Sequence, residues 1–141
     1  MDWPAAYVGI PYRRRGRDRS GLDCWGLVRL VLLEQKGIEL PLYDTVDRMK
    51  PGTVAAAVNV ERGCGDWLDV STEDLRREFD FLVMRTAVRE AGRMVSAAIH
   101  IGIAAPGGFV LHVQEGDSAV LQPFKTLQHR IAGIYRHRSL T

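Results

Sequence analysis

Cysteine and histidine are the side chains best suited to supply a nucleophile and a base near neutral pH. This chain has two cysteines and four histidines. Cys24 directly follows Asp23 and begins the apolar run 24–36, CWGLVRLVLLEQK. A thiol in the first turn of a helix feels the positive end of the macrodipole and the unsatisfied backbone N–H groups there, and both favour thiolate over thiol. His100 and His112 stand twelve residues apart, on either side of Pro106-Gly107-Gly108. An imidazole beside the thiol can take its proton, and a second imidazole bonded to the first can hold it in one tautomer. That is the nucleophile, base and orienter of a covalent hydrolase. The N–H groups of the helix start, with that of Cys24 itself, would supply an oxyanion site.

The remaining candidates are poorer. A cysteine on an apolar helix is most often a core residue, so the reading of Cys24 depends on its companions. Cys64 lies between Gly63 and Gly65 with neither a base nor a helix start beside it, and ranks far below Cys24. His129 and His137 sit among arginines near the C-terminus and are expected at the surface. Two histidines do not hold zinc without a third ligand, and Glu115 belongs to no ligand-type motif. No metal, no cofactor and no disulfide are therefore expected.

These groups need elements to bring them together. The run 24–36 predicts a helix that is apolar on nearly every side and central to the core. Asp23 is its N-cap, or Ser20-x-x-Asp23 its capping box, and Gly37 ends it before Pro41. A second helix is expected over 52–62, and a short third one from Thr72 through Glu78. From residue 80 the pattern changes to strands, at 80–86, 98–104, 109–114, 118–122 and 131–136, with a hairpin turn at Pro106-Gly107-Gly108. In the strand 98–104, Ile99, Ile101 and Ile103 share one face and His100 the other, among small residues. An odd-length hairpin loop puts His100 and His112 on one face, and an even-length loop separates them. The odd register is the expectation, with 104–108 as the five connecting residues and the Cys24 helix laid against the histidine face. Helices followed by an antiparallel sheet of about five strands make an α+β fold.

The whole chain of 141 residues is expected to form one domain, 1–141, large enough to build its own core. No apolar run approaches the roughly 18 residues of a membrane span. A net charge of +2 is too balanced to argue for nucleic acid. The start, Met-Asp-Trp-Pro, lacks a secretory leader pattern, so the expectation is synthesis in the cytoplasm. Residues 13–19, RRRGRDR, carry five arginines that could attract an anionic polymer or form a solvated loop.

The segments Gly9-Ile-Pro-Tyr12, Gly21-Leu-Asp-Cys-Trp-Gly-Leu-Val28, Gly37-Ile38 with Leu40-Pro41, His100-Ile-Gly-Ile103 and Leu111-His112 together resemble the NlpC-type cell-wall peptidase family. Its members are papain-like cysteine hydrolases that usually cleave the stem peptides of peptidoglycan. The resemblance covers 9–41 and about 80–136, and 44–78 do not visibly match. It implies a papain-like fold, with Cys24 as nucleophile, His100 as general base and His112 as orienter. It also places Tyr12 beside the thiol and gives Asp23 a contact with a substrate amine besides its capping role. One departure stands out: the family usually has serine after the cysteine, and here Trp25 follows. A large indole there would change the adjoining substrate subsite, or pack into the core. The ending Ile131-Ala-Gly-Ile-Tyr-Arg136 is similar to the members carried by phage tails and gene-transfer particles, which implies delivery to the wall by a particle and contacts with tail-tip proteins. The alternatives are a structural tail-tip protein with weak or no catalysis, and an amidase or acyltransferase on the same fold.

Overall fold

A computed structural model of the chain describes residues 2–43, 60, 61, 63–71 and 77–140. Helix α1, Cys24–Lys36, has both ends closed by its own sequence. Asp23 is extended (φ −87°, ψ −177°) and its Oδ1 accepts from the Gly26 N–H at 2.7 Å, so it is the N-cap. Ser20 takes no part in a capping box, because its N–H and hydroxyl donate to Asp18. At the other end Gly37 is left-handed (φ 66°), and the N–H groups of Gly37 and Ile38 donate to Leu33 O and Leu32 O. The helix is less enclosed than its composition implies. Leu27, Val28, Val31 and Leu32 are buried, while Leu33 and Glu34 face outward.

The sheet has six strands where the sequence pattern predicts about five. They are β3 (Trp67–Asp69), β4 (Phe81–Glu90), β5 (Arg93–Ala105), β6 (Phe109–His112), β7 (Val120–Pro123) and β8 (Ile131–His137). Their order is β3-β8-β4-β5-β6-β7, with every neighbouring pair antiparallel. The additional strand, β3, is three residues long and too short for an alternation to register. A separate ribbon, β1 (Arg17–Asp18) with β2 (Gly21–Leu22), precedes α1. Strands β4 and β5 also run on past their expected ends and turn at Ala91-Gly92, both left-handed (φ 51° and 77°). That turn has alanine where Asn or Asp would have flagged it. The helix expected over 52–62 lies outside the described residues except at 60 and 61, which are helical, and the one from Thr72 lies outside them through residue 76.

Two apolar layers flank the sheet. On one side α1 packs with Phe81, Val83, Ile101, Ile103, Leu111, Val113 and Tyr135. On the other, Leu82, Met84, Ala104, Val110 and Ile134 are covered by Phe124 and Leu127 of the short helix Phe124–Leu127. The Asp80 carboxylate is buried at the start of β4 and takes two bonds from the equally buried Arg136 of β8, at 2.8 and 2.9 Å. The result is an α+β fold with one helix laid on a large antiparallel sheet.

One expectation is corrected here. The apolar flank of α1 lies on the isoleucine face of β5, not on the histidine face. By alternation His100 and His112 belong with Gly102, Ala104 and Val110. The apolar residues decide this, since Ile101, Ile103, Leu111 and Val113 are what a greasy helix flank can bury.

Candidate active site

The hairpin β5–β6 builds the polar centre. Its loop is Pro106-Gly107-Gly108, in which both glycines have positive φ (77° and 80°). Ile103 pairs with Leu111 and Ala105 with Phe109, so three residues connect the strands rather than five. The parity is still odd and the histidines share a face. Their register is shifted, however, so that His112 lies opposite Gly102 and diagonal to His100. Gly102 makes this possible: a Cβ there would come within 2.9 Å of Val110 Cγ1 and 3.2 Å of His112 Cβ. A bulge adjoins His100 on β5, where Met84 pairs with His100 and Arg85 with Ala98. Bulges re-aim neighbouring side chains.

His100 Nε2 and His112 Nδ1 are hydrogen-bonded at 2.9 Å, and each residue is only 1% exposed. The other nitrogen of His112, Nε2, bonds Gln122 Oε1 at 2.9 Å. Burial holds the His112 pKa below the ordinary histidine value, against an opposing pull from the Gln122 bond. A neutral His112 can accept a proton donated by His100, as an orienter must.

Cys24 is the first residue of α1, 8% exposed and in no disulfide. Helix α1 packs against β5 and β6, the two strands that carry the histidines. The helix start is held tightly. Gly26 lies against the preceding loop, where a Cβ would meet Gly16 O at 2.1 Å. Asp23 Oδ1 accepts from Gly26 N and from Arg17, whose guanidinium also reaches Leu42 O and Tyr43 O. The Asp23 carboxylate is thus engaged in capping and in a part-buried ion pair. Tyr12 bridges Leu22 through its backbone, two residues before Cys24, and is partly buried against the core.

Trp25 packs inward. It is 9% exposed, its Nε1 donates to Pro41 O at 2.8 Å, and its ring meets Tyr43 and Phe81 edge-on. The indole is a core side chain, so the altered subsite expected of it gains no support. The arginine run is also put to structural use. Arg13 bonds Ser20, Arg17 bonds Asp23, and Arg19 bonds Glu34 while lying over the Tyr7 ring. Cys64 is exposed, and desolvation together with Asp66 and Glu61 pushes its thiol pKa up. That is the opposite of what a nucleophile needs. His129 is exposed, whereas His137 is half-buried against Trp67. Sequence reasoning missed Gln122. It is brought beside His112 only by the β6–β7 register, in which it pairs with Val110, and nothing local marks it.

Comparison with known proteins agrees with this architecture. The family model described as the NlpC/P60 family matches residues 9–135. The murein DD-endopeptidase MepS/murein LD-carboxypeptidase of Escherichia coli K12 is 35% identical over 63 residues, which are 45% of this chain and 33% of that protein. The chain thus matches about a third of the length of this curated relative. Among solved structures, the NlpC/p60 domain of the peptidoglycan hydrolase SagA superposes with a TM-score of 0.59 at 24% identity, covering 94% of this chain and 92% of that one. An NlpC/P60 family protein from Bacillus cereus gives a TM-score of 0.61 at 20% identity, covering 95% of this chain and 37% of that one. At such identities the structures speak for the fold alone. With the family model spanning nearly the whole chain and the fold agreeing, the protein belongs to the NlpC/P60 family.

Proposed function

We propose that this protein is a cysteine peptidase that hydrolyses amide bonds in the stem peptides of peptidoglycan, with residues 1–141 as a single catalytic domain. The observation that carries the proposal is the buried ring-to-ring bond between His100 and His112, on strands against which the Cys24 helix packs. The names of the Escherichia coli relative and of SagA support the substrate class.

In this reading the thiol at the tip of α1 meets His100 beyond the apolar flank, which covers only the isoleucine face, and His100 takes the Cys24 proton through Nδ1, because Nε2 is bonded to His112. The thiolate attacks the amide carbonyl, and the N–H groups of the first turn of α1 receive the oxyanion. The imidazolium returns its proton to the leaving amine. Water then hydrolyses the thioester, with His100 as base again. His112 stays neutral and fixes the ring. Tyr12, held beside the helix start, lines the cleft. Asp23 holds the helix start in place, and its second oxygen meets a substrate amine. Trp25, the residue that favours a non-catalytic structural role, is packed in the core with its Nε1 bonded to Pro41 O.

The setting we propose is a phage-tail or gene-transfer particle that carries the enzyme to the wall and seats it among tail-tip proteins. The likeness of the 131–136 segment supports this setting, and immunodetection on purified particles tests it. Digestion of purified peptidoglycan, with muropeptides read by mass spectrometry, tests the activity. Cys24→Ala and His100→Ala should each lose about 10⁴-fold or more in rate, since such residues act as a unit. His112→Ala should retain residual cleavage. Equal cleavage by wild type and Cys24→Ala ends the proposal.

A further inference from the structure

The hydrogen bonds beyond His112 have a direction that their far end dictates. Thr126 Oγ1 lies 2.8 Å from the carbonyl oxygen of Pro123, which can only accept. The one hydroxyl proton of Thr126 is therefore committed, and its oxygen must accept from the neighbour at 3.0 Å, the Gln122 side chain. That places the Gln122 NH2 toward Thr126 and its carbonyl Oε1 toward His112. Facing a carbonyl at 2.9 Å, His112 Nε2 must carry the proton. In a neutral ring Nδ1 is then the lone pair, and at 2.9 Å it can only accept from His100 Nε2. His100 in turn keeps its basic lone pair on Nδ1.

We propose that Gln122, held by Thr126, is a positioning residue that sets the tautomer of both histidines and so makes Nδ1 the basic atom of His100. The inference rests on the reading of His100 as the base for Cys24, and it adds two residues from outside the triad. Gln122 touches neither thiol nor substrate; it acts through His112. The three-residue spacing from Pro123 to Thr126, at the start of the short helix Phe124–Leu127, makes the anchor local. The charges that act on His112 are Arg130, which disfavours its protonation, and Asp117, which favours it.

The test combines histidine ¹⁵N NMR of the resting protein with pH–rate profiles on purified peptidoglycan. In wild type, His112 should show a protonated Nε2 and a lone pair on Nδ1, and His100 a protonated Nε2. Gln122→Leu removes the acceptor and should lower kcat about tenfold with KM within about twofold, while the His112 signals move toward a tautomer mixture. Gln122→Glu keeps an acceptor for Nε2–H. It should restore the tautomer and much of kcat, but move the acid limb of the kcat profile to higher pH, because a carboxylate favours His112 protonation. A role in packing alone would move neither the tautomer nor the limb. A wild-type His112 protonated at Nδ1, a Gln122→Leu variant with wild-type kcat, or a Gln122→Glu profile that superimposes on wild type overturns the proposal. The NMR arm needs no substrate, so it decides this point even if peptidoglycan is not cleaved.

Discussion

Replacing Gly102 with alanine puts a methyl group where β5 and β6 come closest beside the histidine pair. The new Cβ would lie 2.9 Å from Val110 Cγ1, 3.1 Å from Leu111 O and 3.2 Å from His112 Cβ. Carbon atoms in ordinary contact sit about 3.5–4.0 Å apart, so roughly half an ångström must be found. Val110 is buried in the outer apolar layer and Leu111 O is backbone, so neither yields easily. Strand β6 must then move, and the 2.9 Å bond between the imidazoles moves with it, beyond normal hydrogen-bond length. Overpacking of this kind costs about 1–3 kcal/mol. At roughly 3–4 °C per kcal/mol for a domain of this size, Tm should fall by about 3–12 °C. Peptidoglycan hydrolysis should fall about tenfold, beyond what the unfolded fraction explains, as one hydrogen bond to the base is lost. Gly63→Ala is the control, because a Cβ there meets nothing within 4 Å, and it should stay within about 0.5 kcal/mol of wild type. Thermal melts by circular dichroism and digestion rates measured on the same samples read both effects. A Gly102→Ala protein that melts with wild type and cleaves at the wild-type rate would refute the account of this strand pair.

Asp80→Ala should destabilise the fold by about 3–5 kcal/mol in urea unfolding, because it removes both bonds that the buried Arg136 guanidinium makes to the Asp80 carboxylate. The double replacement Asp80→Leu with Arg136→Leu should cost much less, and a single-variant loss under about 1 kcal/mol would contradict this reading. Stability should also depend on pH through His112, whose folded pKa lies below the ordinary 6.5 because of burial. As pH falls, the unfolded chain binds the proton first. Stability that is fully present above about pH 6.5 is then lost as pH falls through the lower folded value. Tm measured from about pH 8 to about pH 5 should therefore decline, and decline less steeply in His112→Asn. Parallel curves for the two proteins would exclude His112 as the source.

Much of this protein is local physics and could be read along the chain. Asp23 with its extended backbone and Gly37 with its positive φ delimit α1 by capping chemistry, which is why the sequence already puts Cys24 in the first helical turn. The alternation from residue 80 onward marked the strands β4 to β8, and the parity of the Pro106-Gly107-Gly108 hairpin put both histidines on one face. What escaped was set by partners distant in sequence. Trp25 reads as a possible subsite wall until Pro41 O and Phe81 claim it. The arginines of 13–19 read as a solvated loop or a polymer-binding run, and only the folded chain shows Asp23 and Glu34 binding two of them.

The sequence by itself determined helix α1 with its caps, the strands β4 to β8 and the shared face of His100 and His112, because turn geometry, period-two alternation and capping depend on neighbours a few residues away. Only the tertiary structure decided that α1 covers the isoleucine face of β5, that Gln122 completes the polar chain, and that Asp80 is neutralised by Arg136. Those outcomes depend on which surfaces compete to be buried and on the register between strands. Both are settled only when the whole core closes.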